Sequence, residues 1–201
     1  AAMNAPALFE REIDLAIQRF GPGWDALRGA RLFITGGTGY FGRWLLPTLL
    51  RAHDQRALDL HVTVLSRSPA SFVDTHPDVA GHTALTLHRG DVRDFSSPPG
   101  PITHLIHAAA TAATATFHGL EDPLTKFDTS FGGARRVLDL AARKGVRRTL
   151  MISSGSFYGA LQPDYDAYPE DYPVAPFPDN VEASVGHAKR AAEFLCAAYA
   201  D

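Results

Sequence analysis

Four glycines fall within seven residues in Thr35-Gly36-Gly37-Thr38-Gly39-Tyr40-Phe41-Gly42, between the apolar run 30–35 and a helix-like segment over 40–52. A strand-to-helix corner of this kind presents unpaired backbone N–H groups and the positive end of a helix dipole, which together suit a pyrophosphate. Gly36 permits the tight turn, Gly39 lets the backbone approach the phosphates, and Gly42 lets the helix lie close to the sheet. Tyr40 and Phe41 lie inside the same corner and join the cofactor-binding candidates. A second concentration of polar groups, Ser153, Ser154 and Ser156, stands where another strand-like run ends. Serines there either satisfy nearby backbone groups or present a hydroxyl to a ligand. His104 and His107, at strand spacing, are accompanied by no cluster of cysteines or carboxylates, so no metal site is expected.

These residues need a frame. Short apolar runs at 30–35, 61–66, 84–88, 103–108 and 147–153 read as strands, and longer helical patterns separate several of them, clearest in 40–52 and 123–144. Strands alternating with crossovers of that length imply a doubly wound α/β fold with a parallel sheet and helices on both faces. Residues 1–29 form an N-terminal helical extension with apolar positions Leu8, Ile13, Ile17 and Phe20, ending at the Gly21-Pro22-Gly23 breaker. Residues 30–201 form the main domain, in which about 160–180 reads as a proline-rich loop. Residues 160–178 alone hold five of the prolines and three of the six tyrosines, a density that excludes a long helix. A last helix is expected over 184–200.

The bulk numbers exclude several classes. The chain has 201 residues, a net charge of -3 with both signs scattered, and one cysteine. Nothing in that balance favours nucleic acid or an anionic membrane. Cys196 alone supports no disulfide framework, the N-terminal stretch is too charged for a signal peptide, and no apolar run reaches bilayer length. A soluble, cytoplasmic protein is the expectation.

The spacing Gly36–Gly39–Gly42 resembles the TGxxGxxG fingerprint of the short-chain dehydrogenase/reductases, in particular the extended class of NAD(P)-dependent nucleotide-sugar epimerases and dehydratases. Four further segments stand in that family's order: "GDVRD" (90–94), "HAAA" (107–110), "SSGSFYG" (153–159) and "VGHAK" (185–189). The resemblance covers about residues 30–200 and implies a Rossmann fold that binds NAD or NADP. It implies adenine contacts from Asp91 and Val92 and a close approach of His107, Ala108 and Ala109 to the cofactor. The residue ending the second strand reads the adenosine ribose, where a carboxylate favours NAD and an arginine favours NADP. Here Ser66 and Arg67 stand in that place, which tilts the expectation toward NADP.

The resemblance also implies the chemistry. A tyrosine and a lysine one helical turn apart face the nicotinamide: the lysine holds the ribose hydroxyls and lowers the phenol's pKa, and a serine shares the substrate oxygen. Lys189 and Ser154 match, but Val185 stands where the tyrosine belongs. Either another acid substitutes, with Tyr158, Tyr165, Tyr168, Tyr172 and His187 as candidates, or Val185 is an engineered inactivation, or catalysis is lost and binding kept. Gly155 and Ser156 replace the Asp-Glu pair of dehydratases, which points to epimerase or ketoreductase chemistry. The implied partners are a nucleotide-sugar substrate and a second copy, paired through the helices at 123–144 and 184–200. Most of the family's C-terminal substrate domain lies beyond this sequence, so a sheet edge and apolar surface should stand uncovered until a partner or a further segment fills them.

Overall fold

A computed structural model describes residues 5–111 and 121–200; Ala1–Asn4 of the extension and Asp201 lie outside the described residues. Five strands, β1 Arg31–Thr35, β2 His61–Ser66, β3 Leu85–Arg89, β4 His104–His107 and β5 Arg148–Met151, pair in parallel in the order β3-β2-β1-β4-β5. The chain therefore builds outward from β1 in one direction, then returns to add β4 and β5 on the other side. The C-terminal ends of β1 and β4 diverge at that reversal, where open α/β sheets bind their ligands.

Side-chain alternation along the strands makes two cores. Leu32 and Ile34 of β1 join Val62 and Val64 of β2 on one face, under α1 (Ala5–Phe20) and α2 (Gly42–Arg56). Phe33 joins Leu65 and Leu105 on the other face, under Val137 and Leu140 of α6 (Gly133–Lys144). Short helices α3 (Pro69–Thr75) and α4 (Pro77–Ala80) carry the chain from β2 to β3. The last helix, α7 (Ser184–Ala200), lies beside α6; Tyr199 donates to Asp139 across that contact, and the Arg135 guanidinium sits 5.5 Å from the Tyr199 ring centre.

Within the extension, Ala5–Phe20 is an α-helix and Gly21–Leu27 a 3₁₀ helix. Ile13 and Ile17 are buried against the core, Arg51 of α2 pairs with Glu10 and Asp14, and Trp24 donates its indole N–H to the Ile17 carbonyl at 3.0 Å. Two helices differ from the pattern. The predicted 40–52 segment starts two residues later because 36–41 is consumed by the turn, and it runs on through Pro47 to Arg56, where Ala57 closes it with φ 48°. The predicted 123–144 segment divides into α5 (Pro123–Phe127), a wide π-type turn at Asp128–Gly132, and α6. Gly133 rests on Val92, since a Cβ there would lie 2.9 Å from Val92 Cγ1.

β5 is an edge strand, and Leu150 is 54% exposed on it. An apolar groove of about 690 Å³ opens over β4 and β5, walled by Phe20, Trp24 and Leu45 and floored by Leu105, Ile106 and Leu150.

Candidate cofactor-binding and active site

The glycine corner sits at the divergence of β1 and β4. Gly36 has φ +74°, a left-handed conformation that favours glycine, and a Cβ on it would lie 2.5 Å from the Ala108 carbonyl group. Gly42 is tighter still: a Cβ would lie 1.7 Å from the Gly37 oxygen, so the first turn of α2 presses directly on the turn before it. Gly39 differs, being exposed, with the Gly36 oxygen 3.2 Å from its would-be Cβ. Among the described residues no side chain caps α2 and no acidic residue stands in its first turn; the Arg43, Trp44 and Leu45 amides bond the Gly39 and Phe41 carbonyls, which leaves the amides just before them, in the corner itself, to meet an anion. Tyr40 and Phe41 project outward from the corner, packed edge-to-face with ring centres 5.7 Å apart.

At the end of β4, His107 is fully buried. Its Nδ1 lies 2.7 Å from Thr35 Oγ1, which also accepts from the Ala109 amide at 3.3 Å. With Thr35 Oγ1 already accepting from Ala109, we assign its hydroxyl as donor to Nδ1, which leaves the ring proton on Nε2, a buried atom with no partner among the described residues. Burial, reinforced by the charge of Lys189, drives the imidazole pKa down to about 3, so His107 is neutral. An unpartnered polar atom beside a glycine cradle fits a site that completes itself with a polar ligand. Ala108 and Ala109 keep the wall beside Gly36 thin.

The adenosine end is defined by β2 and β3. Ser66 is buried and accepts from the Ser68 amide at 3.3 Å, whereas Arg67 is exposed. Asp91 accepts from the Arg93 backbone at 2.9 Å and from its guanidinium at 2.9 and 3.0 Å, and those bonds hold its carboxylate below the usual range, with a smaller push from Arg67. The Val92 side chain belongs to the core against Gly133, leaving its backbone as what it can offer a ligand.

The chain leaving β5 forms a short 3₁₀ turn, Gly155–Tyr158, capped by Ser154, whose Oγ accepts from the Ser156 amide and lies 2.9 Å from the Ser156 hydroxyl. The first turn of α7 packs onto it: a Cβ on Gly186 would lie 2.5 Å from the Ser156 oxygen. Lys189 is 3% exposed and donates to the Ile152 carbonyl at 2.6 Å; burial lowers its pKa, while Cys196 and Glu193 oppose that lowering. Val185 is in the first turn of α7, half-buried, and His187 Nε2 is buried without a partner.

The tyrosines of the proline-rich segment form one cluster. Tyr158 stacks on Tyr168 at 5.2 Å, and Tyr165 and Tyr168 meet Tyr172 edge-on at 5.1 and 5.2 Å. The Tyr172 hydroxyl donates to Ala160 and accepts from Gln162, and that of Tyr168 donates to Gly159, so both serve the loop's own backbone. The Tyr158 hydroxyl reaches Glu170 at 3.5 Å, and burial followed by Glu170 raises its pKa. Among the described residues no group of three or more His, Cys, Asp or Glu side chains could hold a metal, and no helix is long and apolar enough to cross a membrane.

Two contributors escaped the sequence reading. Thr35, the last residue of β1, ties His107 to the Ala109 amide; its alignment beside β4 is a matter of register. Glu193 accepts a hydrogen bond from Ser153 and stands four residues after Lys189, a spacing that the helix pattern alone could have flagged.

A parallel sheet that reverses its strand order at a glycine corner defines an α/β fold of the Rossmann type. Residues 32–201 match the NAD dependent epimerase/dehydratase family, and the chain belongs to it. Cinnamoyl-CoA reductase 2 of Arabidopsis thaliana is 30% identical over 141 residues, covering 69% of this chain and 39% of that protein. A crystal structure of a UDP-galactose 4-epimerase superimposes with TM-score 0.65 at 27% identity, over 85% of this chain and 51% of the epimerase. The dTDP-glucose 4,6-dehydratase DesIV of Streptomyces venezuelae, with NAD and TYD bound, gives TM-score 0.67 at 21% identity, over 84% and 51%. The chain thus spans about half or less of the length of these relatives.

Proposed function

We propose that this chain is the cofactor-binding part of an enzyme performing NAD(P)-dependent redox chemistry, of the epimerase or ketoreductase type, on a nucleotide-linked sugar. The observation that carries the reading is the Gly36–Gly42 corner, where backbone contacts exclude any side chain at 36 and 42 while 39 stays open beside an uncapped helix. The amides of Tyr40, Phe41 and Gly42 hold the pyrophosphate, while the Gly39 amide closes the turn on the Gly36 carbonyl and its bare Cα lets the phosphates approach, and Asp91 and Val92 border the adenine. Ser66 and Arg67 offer no carboxylate to a ribose 2′-OH and one exposed guanidinium to a 2′-phosphate, which favours NADP over NAD.

The cofactor supplies a hydride acceptor and donor at its nicotinamide. Lys189 orients the nicotinamide ribose, and the Ser154 hydroxyl hydrogen-bonds the substrate oxygen. Among Tyr158, Tyr165, Tyr168 and Tyr172 we favour Tyr158 as the substitute for the missing phenol at position 185, because it lies in the turn that Ser154 caps and the hydroxyls of Tyr168 and Tyr172 are spent on loop carbonyls. With its pKa raised, Tyr158 stays protonated at neutral pH and suits proton donation to a ketone undergoing reduction. A homodimer through α5–α6 and α7 is supported by Phe194, 71% exposed on α7.

Val185 favours a second reading, a nucleotide-binding module without turnover. Titration calorimetry with NAD⁺ and NADP⁺, followed by NAD(P)H turnover of wild type and Val185→Tyr with UDP- and dTDP-sugars, separates the two. Turnover by wild type that Tyr158→Phe abolishes supports the enzyme. Turnover that appears only in Val185→Tyr supports the disabled module. Absence of binding to either dinucleotide refutes both.

A further inference from the structure

Two side chains on one ridge of α7, four residues apart, grip two consecutive residues of the chain as it leaves β5. Lys189 donates to the Ile152 carbonyl at 2.6 Å, and Glu193 accepts from the Ser153 hydroxyl. The next residue is Ser154. Residues four apart on a helix share a face, so both side chains leave α7 toward the same strand end, each on its own partner there.

We infer that Glu193 is a positioning residue: through Ser153 it sets the turn that carries Ser154, and it puts a carboxylate on the face of α7 from which Lys189 reaches the same strand end. The inference rests on the reading that Lys189 holds the cofactor. Burial disfavours an ammonium at this position and lowers the Lys189 pKa on balance, while the charge of Glu193 acts in the opposite direction. The surrounding groups leave that task to Glu193. His107 at the end of β4 is neutral. The Cys196 thiol is pushed up by burial and then by Glu193, so it carries no charge at neutral pH. Lys126, buried on α5 against α7, adds no negative charge, and Tyr158 in the 3₁₀ turn feels Glu193 as a force keeping its own proton on. Asp139 is committed to Tyr199 at the far end of α7.

The sign follows directly. Removing the charge of Glu193 lowers the Lys189 pKa further, so the ammonium is lost at lower pH and cofactor affinity fails earlier on the alkaline side. The test measures NAD⁺ and NADP⁺ affinity by calorimetry from pH 6 to 9 for wild type, Glu193→Gln, Glu193→Asp and Lys189→Met, with thermal melts at each pH. Glu193→Gln retains an acceptor for Ser153 and should keep the fold. The expected result is a Glu193→Gln affinity that matches wild type at the acid end of the range and falls away at lower pH than wild type does, with restoration by Glu193→Asp. A Glu193→Gln profile that overlays wild type overturns the inference, and so does a uniform loss at every pH that Glu193→Asp fails to restore. If Lys189→Met binds as well as wild type, the lysine reading itself falls and takes this inference with it; if only Lys189→Met is impaired, the lysine reading stands and the role of Glu193 falls.

Discussion

Gly42→Ala and Gly39→Ala, three residues apart in one turn, should fail in opposite ways. At Gly42 the new methyl would start 1.7 Å from the Gly37 oxygen and 2.2 Å from its carbonyl carbon. Normal contact needs about 3.4 Å or more between such atoms, so α2 or the turn must move by well over an ångström. Both atoms at the clash are backbone, and no rotamer relieves it. Overpacking of this kind costs about 1–3 kcal/mol or more, which in a domain of this size lowers Tm by roughly 2–4 °C per kcal/mol. At Gly39 the methyl meets only the Gly36 oxygen, at 3.2 Å, and then open solvent. Its cost to stability should stay below about 1 kcal/mol. That methyl instead occupies the side of the turn that faces a pyrophosphate, so dinucleotide affinity should fall by about tenfold or more. Thermal melts and calorimetric titrations of the two variants with NAD⁺ and NADP⁺ provide the comparison. If Gly39→Ala binds as tightly as wild type, or melts as low as Gly42→Ala, the division of labour argued for this corner is wrong.

Other outcomes follow from the same geometry. His107 has a folded pKa of about 3 against about 6.5 unfolded, so below pH 6.5 the unfolded chain binds the extra proton and stability falls with falling pH. Its contribution is intact above pH 6.5 and is lost at up to roughly 1.4 kcal/mol per pH unit below it; urea melts of wild type and His107→Gln at pH 7, 6 and 5 should show the shallower dependence in the variant. Tyr172→Phe removes the hydroxyl that bonds Ala160 and Gln162, and should destabilise the proline-rich loop by about 1–3 kcal/mol, read as faster proteolysis between 160 and 178. Tyr158→Phe should leave the melt unchanged and suppress turnover. Arg67→Ser should weaken NADP⁺ binding several-fold and leave NAD⁺ binding nearly constant, measured by calorimetry.

Local pattern carried the fold a long way. All five strands lie within two residues of their apolar runs, because each is a short run bounded by turn residues and the parallel order follows from the crossover lengths. The glycine spacing located the corner for a similar reason: backbone contact at Gly36 and Gly42 admits no other residue. What pattern could not supply was anything set by register across the sheet. Thr35 and His107 are 72 residues apart in sequence and 2.7 Å apart in space, and only the alignment of β1 with β4 makes them partners. The π-type turn at 128–132 was equally hidden, since its apolar spacing still reads as a helix while Gly133 seats on Val92 from another part of the chain.

The site also narrows what the valine at 185 can mean. Gly186 is held against the Ser156 oxygen, Lys189 against the Ile152 carbonyl and Glu193 against Ser153, so one helix fixes the β5 exit at three successive points. Those contacts involve no atom of residue 185. The frame that would orient a phenol there is therefore built independently of it. Val185→Tyr should change the chemistry of the site without changing its architecture: its melt should match wild type, and cofactor affinity should be retained. A Val185→Tyr variant that loses dinucleotide binding would show instead that the valine packs a space the cofactor site requires, and that position 185 was adapted together with its surroundings.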